Sequence, residues 1–197
     1  MPVEVYPLKL NMLRELGIIT RPNDPRASTE FTFTRFLVPY LNQYKGWAMF
    51  IDCDFLALAD VRELYELRDD KMAVQVVKHD YTPKEGMKMD GQVQHVYPRK
   101  NWSSAILFNC EHYANKPLTP DMVNTRPPGF LHQFKWLDDD FIGEIPYQWN
   151  YLDGTYDTND AKFVHYTLGG PWFDNWQHVS YAQEWRDERD EYLRSSG

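Results

Sequence analysis

The stretch Trp47-Ala48-Met49-Phe50-Ile51-Asp52-Cys53-Asp54 decides how the chain is read, because an apolar run passes directly into two carboxylates that flank a single residue. Side chains alternate faces along a strand, so an extended reading projects Asp52 and Asp54 to one side and Cys53 to the other. Two like charges held that close repel, and a divalent cation between them relieves the repulsion. The plain alternative is an acidic turn closing a strand, since Asp is common in turns and hydrated carboxylates cost little. The D-x-D spacing alone divides evenly between the two. Its place at the exit of an apolar run, rather than inside a polar loop, favours the metal.

Composition sets the outer limits. A chain of 197 residues with 43% hydrophobic content can bury one substantial core, and a single domain over residues 1–197 is expected. The net charge of -8, with no local Lys/Arg cluster to offset it, argues against nucleic acid as a partner. Seven Trp and thirteen Tyr suit a large core or a site that stacks on substrate rings. Cys53 and Cys110 both fall at the ends of apolar runs and read as two small buried thiols in a reducing compartment. Residues 1–10 lack the order of a signal peptide, and no apolar run approaches the ~20 residues of a membrane span. A soluble, cytoplasmic protein is expected.

Periodicity predicts a short strand over residues 3–10, then a helix over 11–16 that Gly17 can end in a left-handed conformation. Residues 21–27 read as a loop. Ser28 can cap a helix whose apolar positions Phe33, Phe36, Leu37, Tyr40, Leu41 and Tyr44 keep helical spacing, with a kink or early end at Pro39. Asp60 and Glu63 resemble a capping box for a short helix to Leu67. Strands are expected over 72–77, 103–109, 143–147 and 162–166. Helices are expected after Thr119-Pro120, over 130–137 and over 177–194. Residues 78–101 hold two glycines and two prolines without a sustained period, and read as a mobile lid or acceptor loop. The alternation of units predicts an α/β protein with a mixed, largely parallel sheet flanked by helices.

A second cluster, His165-Tyr166-Thr167-Leu168-Gly169-Gly170-Pro171-Trp172, sets a histidine at a strand exit before a glycine pair. Glycines allow backbone amides close to an anion, and a neutral imidazole can complete an oxygen-rich metal site. A lone histidine at a strand end is more often a structural hydrogen bonder, but a D-x-D elsewhere reverses that preference.

With these landmarks in order, the chain resembles glycosyltransferase family 8, whose GT-A (Rossmann-like) fold transfers a sugar from a nucleotide donor. Phe33-Thr34-Arg35-Phe36 matches the family's aromatic-x-Arg-hydrophobic helix and Asp52-Cys53-Asp54 its D-x-D. The strand from Trp102 to Asn109 resembles its Phe-Asn-Ala/Ser-Gly strand, and His165 to Trp172 its C-terminal His-x-x-Gly-x-x-Lys-Pro-Trp motif, with one residue more after His165. The likeness covers residues 28–172. Ser103 stands where the family has Asn, and Gly170 stands where a phosphate-binding Lys is usual. The chain also opens at what resembles the family's next strand, without the usual first one. An incomplete N-terminus, weak base discrimination and homodimerisation through an open sheet edge would follow.

The resemblance implies that Asp52, Asp54 and His165 hold Mn2+ or Mg2+ against the diphosphate of a donor, a UDP-sugar, with retention of configuration at a glycan or other hydroxyl acceptor. Arg35 would contact Asp52, Asp54 or phosphate, or else snorkel at the surface. Asp139, in the middle of Asp138-Asp139-Asp140, falls where family members place an acidic residue near the donor sugar; a solvated acidic loop is the equal alternative. Ser103, Ser104, Gly169 and Gly170 would line the donor, with Trp149, Asn150 and Trp172 as a wall for a sugar face. Two other classes remain: a glycoside hydrolase using Asp52 and Asp54, whose i, i+2 spacing of about 6.6 Å suits paired carboxylates, and a non-catalytic carbohydrate-binding module.

Overall fold

The computed structural model describes residues 3–22, 32–79 and 98–195. Ser28 and most of the segment expected as a lid, residues 78–101, lie outside the described residues. Residues 3–9 are irregular and largely exposed rather than a strand, and α1 (Leu10–Glu15) follows. Gly17 closes α1 at φ +69°, a conformation that costs a residue without Cβ nothing extra.

The apolar stripe expected in one helix is realised in two pieces. Thr34–Leu37 form a 3-10 turn, and α2 (Val38–Leu41) begins with Pro39 in its first turn. A proline there lacks only an N–H that the helix would leave unpaired, so it starts a helix instead of kinking one. The chain leaves through Gln43 and Tyr44, both at φ 54°.

The strands are β1 (Trp47–Ile51), β2 (Phe55–Ala57), β3 (Val74–Val76), β4 (Ala105–Asn109), β5 (Ile142–Glu144), β6 (Tyr151–Leu152) and β7 (Phe163–His165). Beyond α2 come α3 (Val61–Tyr65), α4 (Pro120–Thr125), α5 (Pro128–His132) and α6 (Ala182–Ser195). Asp60 caps α3 by accepting from the Arg62 N–H at 2.8 Å, and Thr119 caps α4 by accepting from Met122 at 3.2 Å. Glu63 does not close a capping box; it reaches Lys162 of a later loop.

Two sheets result, one ordered β1-β4-β3-β5 and a smaller one ordered β2-β7-β6. Both are mixed, but three of the five pairings are antiparallel: β1 with β4, β3 with β4 and β2 with β7. Among the described residues, β3–β5 and β6–β7 are the pairs that run parallel. This corrects the largely parallel sheet expected from alternation. Strand–helix order does not say which strands become neighbours, and β4 enters between β1 and β3 against the direction of both. The exits of β1, β3 and β5 and the entry of β4 therefore share one sheet edge.

One core cluster, including Leu13, Phe36, Leu37, Phe108, Leu131 and Phe134, packs around the larger sheet. A second, of Leu64, Val77, Ile145, Trp149 and Phe163, joins residues from around both sheets. A third, of Leu56, Tyr151, Val164 and Tyr166, takes Trp185 of α6 against it. No helix among the described residues is long and apolar enough to cross a membrane.

Gly143 in β5 is held to its size. A Cβ there would lie 2.7 Å from Met72 Cγ and 2.8 Å from Gln75 Cγ. Gln75 cannot swing away freely, because its amide donates to Leu67 O at 3.0 Å and accepts from the Asp69 N–H at 2.8 Å. Gly143→Ala is expected to lower stability by about 1–3 kcal/mol, measured as a fall in the urea midpoint at unchanged m-value.

Candidate metal centre

β1 ends at Ile51 and β2 begins at Phe55, so Asp52, Cys53 and Asp54 form the short turn that carries the chain from one sheet to the other. They are not strand residues. The two carboxylates converge because the turn is pinned at both ends, with Asp52 N–H donating to Ser104 O at 2.9 Å and Tyr166 N–H donating to Asp54 O at 3.0 Å. Cys53 is exposed, not buried as expected, while Cys110 is buried. Register does the rest: Phe55 pairs with His165 across β2 and β7, and their rings stack with centroids 4.4 Å apart. One ligand atom each from Asp52, Asp54 and His165 then falls within 4.8 Å of the others.

The hydrogens around His165 can be assigned one by one. Ser104 Oγ–H donates to Asn101 O at 2.7 Å, so its oxygen accepts from Asn150 Nδ2 at 2.9 Å. Asn150 Nδ2 also donates to Asn101 O at 3.2 Å. That fixes the amide, leaving Asn150 Oδ1 as the acceptor for His165 Nδ1–H at 3.0 Å. In neutral His165 the Nε2 lone pair therefore faces Asp54 Oδ1, 3.4 Å away. Two acceptors so placed could hold a cation between them, or meet as an ion pair if His165 is protonated. A ligand histidine whose other ring nitrogen donates to a carbonyl is the usual support of a metal site.

Arg35 completes the electrostatics. Its side chain is buried, with Nη2 2.8 Å from Asp52 Oδ1 and Nη1 3.3 Å from Oδ2, while Nη1 also donates to Ser103 O at 2.7 Å. Burial pushes the Asp52 carboxyl up from its ordinary range, and the charges of Arg35 and His165 oppose that rise. Arg35 is thus a partner of Asp52, not a snorkelling surface residue.

Several residues expected to touch substrate lie beneath the cluster instead. Ser103, Ser104 and Asn150 are buried, and their polar groups serve His132, Asn101 and His165. Trp149 is core. The Gly169 N–H is taken by Tyr166 O at 2.9 Å, which removes it as an anion donor. A Cβ on Gly170 would strike the Trp172 ring at 2.0 Å, so Gly170 makes room for Trp172. Trp172 itself packs on Tyr166 and Trp185 yet stays 40% exposed. Asp139 stands outside the cluster, exposed and paired with Arg99 at 2.5 Å; Arg99 also lies 5.3 Å from the Trp102 ring centre.

Two histidines at this edge escaped the sequence reading, because neither sits in a spacing pattern. His79, just past β3, meets Tyr156 Oη through Nδ1 at 2.7 Å, and His132, at the end of α5, meets Ser103 Oγ through Nδ1 at 2.7 Å. Burial drives both imidazoles down to about 3, helped by the charge of His165 on His79 and of Arg35 on His132.

The fold resembles part of a solved glycosyltransferase. The chain is similar to the apo structure of the WbbM bifunctional glycosyltransferase, with a TM-score of 0.58 and 18% identity over 84% of this chain and 35% of that one. It thus spans about a third of that neighbour, and at this identity the likeness is one of fold. No family model matches the chain. It is 54% identical over 201 residues to Protein CDI of Arabidopsis thaliana, covering 99% of this chain and 78% of that protein, and belongs to the same family.

The two low-lying histidines give a pH dependence of known sign. Each is neutral when folded and titrates near 6.5 when unfolded, so below that pH the unfolded chain binds the extra protons. Stability from these groups is complete above pH ~6.5 and falls by about 1.4 kcal/mol per pH unit for each histidine as the pH drops toward ~3. Urea midpoints at pH 7, 6, 5 and 4 should fall steeply, and His132→Asn should reduce the slope.

Proposed function

We propose that the protein is a metal-dependent glycosyltransferase of the GT-A type, resembling family 8. It moves a sugar from a nucleotide donor, a UDP-sugar by that resemblance, to a hydroxyl acceptor with retention of configuration. The observation that carries this reading is the His165 Nε2 lone pair locked by Asn150 toward Asp54 Oδ1 at 3.4 Å. The glycosyltransferase fold supports it.

Asp54 and His165 would hold a divalent cation, with Asp52 beside them. The imidazole in the donor set suits Mn2+ better than Mg2+, which prefers oxygen throughout. A bound cation would neutralise charge developing on the departing diphosphate. Arg35 holds Asp52 in place and removes part of the repulsion between the two carboxylates. Asn150 keeps the His165 Nε2 lone pair turned toward Asp54. Exposed Asp139 is the carboxylate left for sugar hydroxyls, and the open part of Trp172 for a sugar face. The two free thiols fit a reducing, cytoplasmic setting.

A hydrolase reading needs two working carboxylates, and Asp52 is already committed to Arg35. A protonated His165 would meet Asp54 as a plain ion pair, and a carbohydrate-binding module would need no metal.

Thermal shift separates these. UDP with Mn2+ should raise the melting temperature, and chelator should abolish the rise. Asp54→Ala should keep the wild-type melting temperature without ligands, since its side chain is 31% exposed, and lose the Mn2+-dependent rise. A metal-independent response to nucleotide, or an undiminished one in Asp54→Ala, would overturn the metal assignment. Asn150→Leu should raise the Mn2+ dissociation constant about 10–100-fold by releasing His165, as read by calorimetry.

A further inference from the structure

His132 belongs to none of the motifs that suggested the site, yet it grips Arg35 from two directions. Its Nδ1 lies 2.7 Å from Ser103 Oγ, and the ring also shares a hydrogen bond with the Thr32 backbone. Ser103 is the residue whose carbonyl accepts from Arg35 Nη1 at 2.7 Å. Thr32 stands three residues before Arg35, ahead of the 3-10 turn that carries it. One imidazole thus ties the backbone leading into Arg35 to the residue on which the Arg35 guanidinium rests. The guanidinium in turn spans both oxygens of Asp52.

We propose that His132 is a positioning residue of the metal centre. Through Ser103 and the turn after Thr32 it holds Arg35 in register with Asp52, and so sets how the Asp52 carboxylate is presented to a divalent cation. The inference rests on the metal reading for the cation, while the hold on Arg35 stands without it. The competing role is packing, because the His132 ring meets the Phe36 ring edge-on at 5.1 Å.

Substitutions divide the two roles. His132→Phe keeps a planar ring against Phe36 and removes both hydrogen bonds. His132→Asn returns a polar group near the position of Nδ1, and Ser103→Ala removes only the hydroxyl. Calorimetry with Mn2+ in the presence of UDP should show a dissociation constant raised about tenfold or more in His132→Phe and in Ser103→Ala, with at least a threefold recovery in His132→Asn. A second measurement needs no metal. Melting temperatures of His132→Phe, Arg35→Met and the double variant should be non-additive by several degrees, because Arg35 has lost its seat once His132 is gone. Ser103→Ala replaces His132→Phe in that cycle if the phenylalanine variant does not fold.

Wild-type Mn2+ affinity in both His132→Phe and Ser103→Ala would overturn the role at the metal centre. Additive melting shifts would overturn the hold on Arg35. If the wild-type protein itself takes up no Mn2+, the metal reading fails and His132 with it as a metal-centre residue, whereas the melting cycle still decides the hold on Arg35.

Discussion

The buried guanidinium of Arg35 is the constraint on which this end of the molecule is organised. A charge taken out of water must be matched by charge or hydrogen bonds, and breaking such a pair from one side typically costs about 3–5 kcal/mol. Arg35 meets that requirement with Asp52 and the Ser103 carbonyl, above the Phe50 ring at 4.8 Å. Its partners come from two other parts of the chain, the turn after β1 and the entry of β4, while Arg35 itself sits on a 3-10 turn. Satisfying one cation therefore fixes three segments relative to one another.

That requirement also explains why the acidic turn sits between sheets. β1 leads the chain out of the larger sheet and β2 into the smaller, leaving Asp52, Cys53 and Asp54 where the two meet. β7 brings His165 opposite Phe55, and Asn150, just before β6, reaches His165 from behind. The larger sheet supplies Asp52 and its support through β4. The smaller supplies His165. A site assembled from two sheets inherits its precision from their packing, and the shared core around Trp149 and Phe163 provides it.

The parts of this arrangement visible in the sequence were those with a local physical cause. The apolar run of β1, the Gly17 stop, and the caps at Asp60 and Thr119 each depend on neighbours a few residues away. The acidic pair and the strand-exit histidine stood out for the same reason. What was not visible depends on distant partners. Asn150 reaches Ser104 across 46 residues, and His132 reaches Ser103 across 29. No period or spacing encodes such meetings. β2 and β6 are too short to show alternation, and the direction of β4 between its neighbours is a tertiary choice. The inward hydroxyls of Ser103 and Ser104 are likewise not visible in the sequence, because a strand entry looks alike whether its hydroxyls face solvent or the interior.

The formal charge of -8 opposes the nucleotide donor of the proposed reading, which is itself an anion. Net charge, however, acts over a Debye length, while this centre acts over a few ångströms. Counting Arg35, Asp52 and Asp54, the cluster carries one net negative charge. On the proposed reading a divalent cation would reverse that sign, and a diphosphate would then find a favourable field it lacks without the metal. The coupling is reciprocal: whatever the metal adds to nucleotide affinity, the nucleotide must add to metal affinity. On that reading Arg35 tempers this balance, since a cluster without it would carry two net negative charges and repel the anion more strongly before the metal arrives. The buried ion pair that organises the fold is, on that reading, also what makes metal and donor depend on each other.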